Sequence, residues 1–375
     1  MNKYKDIVQI GKYFPPESGG MELMLENISY TLIENGYQND VLAFDKRASH
    51  SSTNDHKSFI YLKKEQFKIK SMPVSIGYLF WMISNLYKYK IVHIHLPNPF
   101  ALVAYLLSFG KKKLVIHWHS DIIDQKFLYR LVKPFEQYLL KRADKIICTS
   151  ESYKKGSRPL SAWTSKCVTV PIGIVDPLVR FQTNKKQNVS IREKFLSKKL
   201  LFVGRLVPYK GVKYLVDAMR YLDSDYSLDI IGDGPLKTEI ENQISKHHLE
   251  HQIRLHGGLC EKEKFVHLEK TGLLVLPSVT KNEAFGIVLL EAMAFETPMI
   301  STNIRGSATG TVNIHGVTGF VVAPANSLEL AEHIKILFSH YETYDLFSKN
   351  CRKNFIDNYL VGQTTKKIIS VYKSI

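Results

Sequence analysis

Cysteine is scarce in this chain: Cys148, Cys167, Cys260 and Cys351 are the four in 375 residues, far apart and without a C-x-x-C pair. That spacing indicates neither a disulfide framework nor a zinc site, and it fits reduced thiols in the cytosol. No stretch reaches the ~18 uninterrupted apolar residues needed to span a bilayer. The amino terminus, MNKYKDIVQIGKYFPP, has neither the apolar core nor the cleavage site of a secretory signal. A cytoplasmic protein is expected, with a peripheral position on the inner face of the cytoplasmic membrane as the variant to test. Low-complexity segments and short-period repeats are missing too. Acidic side chains are in deficit, 35 against 51 Lys and Arg, for a net charge of +16. Residues 1–180 carry 26 basic and 15 acidic side chains, so the first half holds most of the excess. Such a field suits nucleic acid, anionic lipid or phosphorylated small molecules. Without zinc-finger spacing, a ribonucleoprotein-type aromatic motif or a long basic run, nucleic acid is not expected as a partner.

What is present is ordinary globular composition, 45% hydrophobic and 23% charged, at a length that suits two domains. Each half opens on a strand pattern and then alternates strand-like with helix-like segments. In the first half Lys5–Ile10 reads as a strand, followed by a glycine-containing loop and a helix from Met21 to Asn35 that stops at Gly36. Further strands are expected at 40–44, 91–94, 114–117, 145–149 and 168–170. The polar, basic stretch 176–199 reads as linker and start of the second domain. There strands are expected at 200–203, 227–231, 253–256, 272–276, 299–301 and 319–322. Short apolar strands alternating with helices predict an α/β protein: two Rossmann-like domains with parallel sheets, facing across a cleft. The boundaries are set at 1–178 and 179–355. The tail, 356–375, is expected to be a helix that can cross back to the first domain.

Glu283-Ala-Phe-Gly-Ile-Val-Leu-Leu-Glu291 is the most informative segment. With a helix starting near Phe285, the backbone N–H groups of Ala284, Phe285, Gly286 and Ile287 would be free for phosphate. Glu283 in the preceding loop could accept hydrogen bonds from sugar hydroxyls, and Glu291, deeper in, could hold a ribose. Gly204-Arg-Leu-Val-Pro-Tyr-Lys-Gly211 follows the strand 200–203 and presents Arg205 and Lys210, a fork and a point charge suited to a diphosphate. Taken singly, these are a surface helix and a solvated basic turn.

Taken together, G-R-L-x-x-x-K-G, I-G-D-G-P (231–235), P-S-x-x-x-x-E-A-F-G-x-x-x-x-E-A-M-A (277–294) and G-x-T-G-F-V-V (316–322) resemble the family-4 retaining glycosyltransferases of the glycosyltransferase-B fold, among them bacterial polysaccharide and O-antigen enzymes. In the first half Pro15–Gly20 resembles the family's glycine loop, where Gly19 and Gly20 would let backbone amides approach the donor or acceptor. His117-Trp-His-Ser-Asp121 resembles its histidine segment, with His119 toward the donor sugar and Asp121 toward a sugar hydroxyl or the acceptor; taken singly, His119 reads as a buried structural histidine. The resemblance implies transfer of a hexose from a nucleotide diphosphate sugar with retained configuration and without metal or other cofactor. Arg205 and Lys210 would take the diphosphate, Glu283 the sugar and Glu291 the ribose. The likeness of HWHSD to polysaccharide mannosyltransferases favours mannose. A glycan acceptor linked to polyprenyl diphosphate, in surface polysaccharide (lipopolysaccharide) assembly, would account for the basic first half. There Val74–Tyr89, apolar and aromatic, stands among Lys63, Lys64, Lys68, Lys70, Lys88 and Lys90 and reads either as a helix lying on an anionic membrane surface or as core. A nucleotide-sugar epimerase on the same fold and a non-catalytic sugar- or membrane-binding protein are the rival readings. Asp223-Ser-Asp225 and the trio His247, His248, His251 are discounted as metal sites, because the first falls in a connecting loop and the second at a polar helix end.

Overall fold

The computed structural model describes residues 5–16, 19–47, 49–55, 58–70, 72–108, 112–122, 126–181 and 189–375. The chain divides into two compact units, residues 1–173 with 361–375 and residues 174–360, where sequence reading set the divisions at 178 and 355.

The first unit begins β1 (Lys5–Tyr13), α1 (Gly20–Glu34), β2 (Asn39–Asp45), β3 (His50–Asp55) and β4 (Ser58–Lys64). A short hairpin follows, β5 (Phe67–Ile69) and β6 (Met72–Val74), then α2 (Ile76–Asn85), β7 (Tyr89–Leu96) and α3 (Pro99–Leu107). It continues with β8 (Lys113–Trp118), α4 (Lys126–Arg142), β9 (Lys145–Cys148), α5 (Glu151–Gly156) and β10 (Cys167–Thr169). Eight strands make one sheet in the order β10-β9-β8-β7-β1-β2-β4-β3. All neighbours are parallel except β3, which runs antiparallel to β4 at the edge. Apolar runs such as Val41–Phe44 and Leu114–Ile116 suit strands covered on both faces.

The second unit holds α6 (Pro177–Arg180), α7 (Ile191–Ser197), β11 (Lys199–Val203), α8 (Val212–Met219), β12 (Ser227–Ile231) and α9 (Lys237–Lys246). After these come β13 (Ile253–Gly257), α10 (Glu261–Glu269), β14 (Leu273–Leu276), α11 (Ile287–Ala294) and β15 (Met299–Thr302). It closes with α12 (Thr309–Val312), β16 (Gly319–Val322), α13 (Ser327–Leu337) and α14 (Tyr341–Asn354). Six parallel strands order as β13-β12-β11-β14-β15-β16. A core of Leu200, Phe202, Leu228, Ile230, Leu273 and Val275 lies under α8, α9 and α13.

The last helix, α15 (Val361–Lys373), returns to the first unit and packs on α1, burying Ile368, Ile369, Val371 and Tyr372. Gly173 permits the close approach, since a Cβ there would lie 2.2 Å from the Thr364 hydroxyl and 2.9 Å from Val361 Cα. The two connections run side by side, with the Ile174 N–H donating to the Tyr359 carbonyl at 2.9 Å.

The segment 74–89 resolves into a helix with two apolar faces. Tyr78, Trp81 and Met82 are buried, with Tyr78 stacked on Phe44 at 4.2 Å and Trp81 against Tyr61 at 4.9 Å. Ile76, Phe80, Ile83 and Tyr87 are exposed, Phe80 by 64%. Among the described residues no helix is long and apolar enough to cross a membrane.

Candidate functional site

In the second unit the loops leaving the carboxyl ends of β11 and β14 are tied to each other and to the loop after β12. The Gly204 N–H donates to the Ile231 carbonyl at 2.9 Å, Leu206 N–H to Asp233 carbonyl at 2.9 Å, and Leu236 N–H to Leu206 carbonyl at 3.1 Å. Gly232 has φ +140, and a Cβ there would sit 1.9 Å from the Gly204 carbonyl oxygen. The I-G-D-G-P loop is therefore a backbone rest for the loop that presents Arg205. Arg205 is exposed, and its guanidinium makes no ion pair or hydrogen bond among the described residues.

Lys210 ends a single 3-10 turn, followed by Gly211 in the left-handed region at φ +67, where a Cβ would lie 2.1 Å from the Pro277 carbonyl. The Val279 N–H donates to the Tyr209 carbonyl at 2.8 Å, joining this turn to the loop after β14. Across that join Lys210 Nζ lies 2.5 Å from Glu283 Oε2, and Ser278 Oγ donates to the same oxygen at 3.0 Å. Thr302 in turn donates to the Ser278 carbonyl, and the Ala308 N–H to the Ala284 carbonyl at 2.9 Å. Glu283 is buried, its carboxylate held by Lys210 and Ser278.

Helix α11 begins at Ile287, two residues later than the sequence suggested. The reason is Gly286, at φ +82, which serves as the cap; a left-handed residue stands outside the helix. The amides of Ala284 to Val288 donate to no protein acceptor among the described residues, leaving a run of donors at a helix amino terminus. Glu291 is the fifth helical residue and buried, with Lys264 Nζ of α10 at 2.6 Å from its Oε1. Lys264 was not singled out from sequence, because EKEKFVHLE reads as a charged outer face. Both carboxylates thus rest against lysines, and an incoming phosphate or hydroxyl would exchange with those ion pairs.

In the first unit Gly20 opens α1 and Gly19 precedes it with extended backbone, so the glycine loop ends at a helix amino terminus; Glu17 and Ser18 of that loop lie outside the described residues. Asp121 follows β8 with its Oδ1 accepting from Trp118 Nε1 at 3.1 Å and Ser157 Oγ at 2.6 Å. His119 belongs to a ladder of four buried imidazoles that sequence reading did not assemble: His93 and His95 on β7, His117 and His119 at the end of β8. The β7/β8 register sets His95 opposite His117, and alternation along each strand puts all four on one face. Their rings are nearly parallel, 7° apart for His117 and His119 and 5° for His93 and His117. Burial pushes His93 and His119 down to about 3, and His95 and His117 well below the usual range, so all four are neutral.

Nitrogens of His93, His95 and His117 lie within 4.8 Å of one another. An ion ~2.1 Å from each nitrogen would have to sit near every ring plane at once. These three rings, stacked with centroids 4.7, 5.1 and 5.3 Å apart and tilted by 24°, 19° and 5°, do not bring their planes together at that distance. A second metal-type set, Asp229 with His256 and His267, already holds a cation: Lys199 Nζ is 2.6 Å from Asp229 Oδ2. The two discounted motifs have structural partners, Asp225 with Lys198 at 2.6 Å and His247 with Asp217 at 3.5 Å.

Two units built on largely parallel sheets, the second with tied, cation-bearing loops at strand carboxyl ends, fit the glycosyltransferase-B architecture. Comparison with solved structures agrees: sucrose-phosphate synthase of Thermosynechococcus elongatus superposes with a TM-score of 0.78 at 19% identity, covering 99% of this chain and 98% of that one. The Anabaena protein HepE, solved in complex with UDP, gives 0.75 at 18% identity over 99% and 100%. Residues 18–175 match the family described as Glycosyltransferase Family 4, and residues 182–354 match Glycosyl transferases group 1. O-antigen chain mannosyltransferase C of Escherichia coli is 30% identical over 367 residues, 97% of this chain and 96% of that protein. The D-rhamnosyltransferase WbpZ of Pseudomonas aeruginosa is 32% identical over 266 residues, 71% and 68% of the two chains. The chain belongs to the family-4 glycosyltransferases and is a glycosyltransferase.

Proposed function

We propose that this enzyme transfers a hexose, mannose first among those to test, from a nucleotide diphosphate sugar to a glycan acceptor on a polyprenyl diphosphate in surface polysaccharide assembly. The observation that carries donor binding is the tied loop set of the second unit: Arg205, the Lys210–Glu283 pair, the open amides of 284–288 and buried Glu291. Relatives named as O-antigen mannosyltransferase and D-rhamnosyltransferase support the acceptor class. Arg205 and Lys210 face the diphosphate, Glu283 and His119 the sugar, Glu291 the ribose, with Gly19 and Gly20 beside the donor and Asp121 toward the acceptor.

The reaction proceeds with retention and without metal. The bond from the anomeric carbon to the diphosphate oxygen breaks, the acceptor oxygen bonds the same face, and the acceptor proton passes to the departing phosphate. The side chains contribute placement and charge stabilisation, not a nucleophile. The enzyme works in the cytoplasm at the inner membrane face, where exposed Ile76, Phe80, Ile83 and Tyr87 are flanked in sequence by Lys64, Lys68, Lys70 and Lys88.

Thermal unfolding with UDP, GDP, ADP and their sugars, with and without EDTA, tests the donor site. A ligand at 100 times its dissociation constant adds ~2.7 kcal/mol. Stabilisation by one nucleotide, indifferent to EDTA and abolished by Glu291→Ala, is expected. A Glu291→Ala protein that binds the nucleotide like the wild type would refute the ribose role. Epimerised sugar formed without acceptor would point instead to the rival epimerase.

A further inference from the structure

The histidine ladder contains a chain of hydrogen bonds whose directions are fixed by one amide. Gln9 on β1 is fully buried; its Oε1 lies 2.7 Å from His95 Nε2 and its Nε2 donates to the Tyr372 hydroxyl at 3.3 Å. Tyr372, on α15, contacts His93 Nδ1 at 2.6 Å. His95 Nδ1 lies 3.0 Å from His119 Nε2. An amide oxygen only accepts, so His95 carries its proton on Nε2. The neutral His95 then has a lone pair on Nδ1, so the contact with His119 requires a proton on His119 Nε2. His119 Nδ1 is left bare. It is bonded to no protein group among the described residues, and it is not among the ring nitrogens that are both sealed from solvent and without a partner, as His93 Nε2 and both nitrogens of His117 are. Reversing the amide would reverse every direction. It would then need N–H···N across 2.7 Å and a Tyr372 O–H···O bond stretched to 3.3 Å, and both are poorer than the observed order.

We propose that Gln9 and His95, anchored by Tyr372, are positioning residues that hold His119 in the Nε2–H tautomer, so that Nδ1 accepts a hydrogen bond from a hydroxyl of the transferred sugar. The proposal rests on the reading that His119 faces the donor sugar. It adds a selection: the sugar must offer a hydrogen-bond donor at that position, a hydroxyl and not a deoxy carbon or a carbonyl oxygen. A member of the last helix thereby sets the chemistry of a side chain at the end of β8.

The experiment is long-range nitrogen–proton correlation on histidine-labelled protein at neutral pH, with assignment through His119→Gln. The expected spectrum shows His119 protonated on Nε2 only. Protonation on Nδ1 overturns the proposal. Gln9→Met, close in volume, and Tyr372→Phe should each give a mixture of His119 tautomers. They should also weaken nucleotide-sugar affinity by roughly three- to tenfold, the scale of one neutral hydrogen bond, with affinity for the sugar-free nucleotide unchanged. Melting temperature and nucleotide affinity certify folding of each variant. If the tautomer of His119 is indifferent to both substitutions, the relay is refuted. If it shifts while nucleotide-sugar affinity stays put, the placement of His119 at the sugar is refuted and donor binding by the second unit stands.

Discussion

Glu136 on α4 is buried, and the Tyr129 hydroxyl donates to it at 2.8 Å. Burial pushes its carboxyl up to about 7 against that hydrogen bond, with Asp121 adding to the rise. Because the folded state keeps this proton to higher pH than the unfolded chain, the contribution to stability is complete below the ordinary carboxyl range and disappears as pH climbs to about 7. Glu136→Gln should gain on the wild type by up to ~3 kcal/mol between pH 4 and pH 8, measured by denaturant midpoints. An offset equal at both pH values would remove the burial argument. Arg205 and Lys210 separate in a different way. Arg205→Ala should lower turnover on the order of 100-fold with stability within about 0.5 kcal/mol, as befits an exposed side chain without a partner. Lys210→Ala should lower turnover similarly and also destabilise, since it strands buried Glu283; parallel activity and melting measurements would expose equal stabilities as an error. At this scale Arg205, Lys210, Glu283 and Glu291 could be singled out as candidates because their motifs carry fixed spacing. Lys264, Gln9 and His95 were not, since their partners lie 27, 363 and 24 positions away and only the fold joins them.

At the scale of elements, strands such as Leu200–Val203 and Leu273–Leu276 announced themselves as continuous apolar runs. The edge strand His50–Asp55 is polar, HSSTND, and the hairpin β5–β6 has three residues a side, so neither has a period to read. The start of α11 was misread because E-A-F-G-I-V looks helical throughout until the left-handed Gly286 is seen. Glycines of this kind carry the loop geometry. Gly232→Ala should drive a Cβ into the Gly204 carbonyl from a backbone that alanine rarely adopts, costing about 2 kcal/mol or more. Nucleotide binding should fall with it, because the Arg205 loop loses its rest. Calorimetric binding equal to the wild type would show that the loop is placed by something else.

For the whole molecule the asymmetry of charge and apolar exposure points the same way. The first half carries 26 basic against 15 acidic side chains, and α2 leaves Ile76, Phe80, Ile83 and Tyr87 in solvent. Co-sedimentation with anionic vesicles at low salt is expected, weakening as the screening length shortens toward 8 Å at physiological ionic strength. No pelleting at low salt would leave the acceptor without its membrane rationale. The two-unit division was readable from the restart of strand-helix alternation near residue 200.

The return of α15 to the first unit has a consequence for the order in which the molecule is made. Residues 361–375 are synthesised after the whole of the second unit, yet they supply Tyr372 to the ladder and the face that covers α1. At roughly 5–20 residues per second, the ribosome spends on the order of tens of seconds on the second unit before that helix exists. The first unit therefore lacks one of its helices until the second unit has been made. Until then α1 is without the helix that covers it, and Gln9 and His93 are without the Tyr372 hydroxyl that both meet.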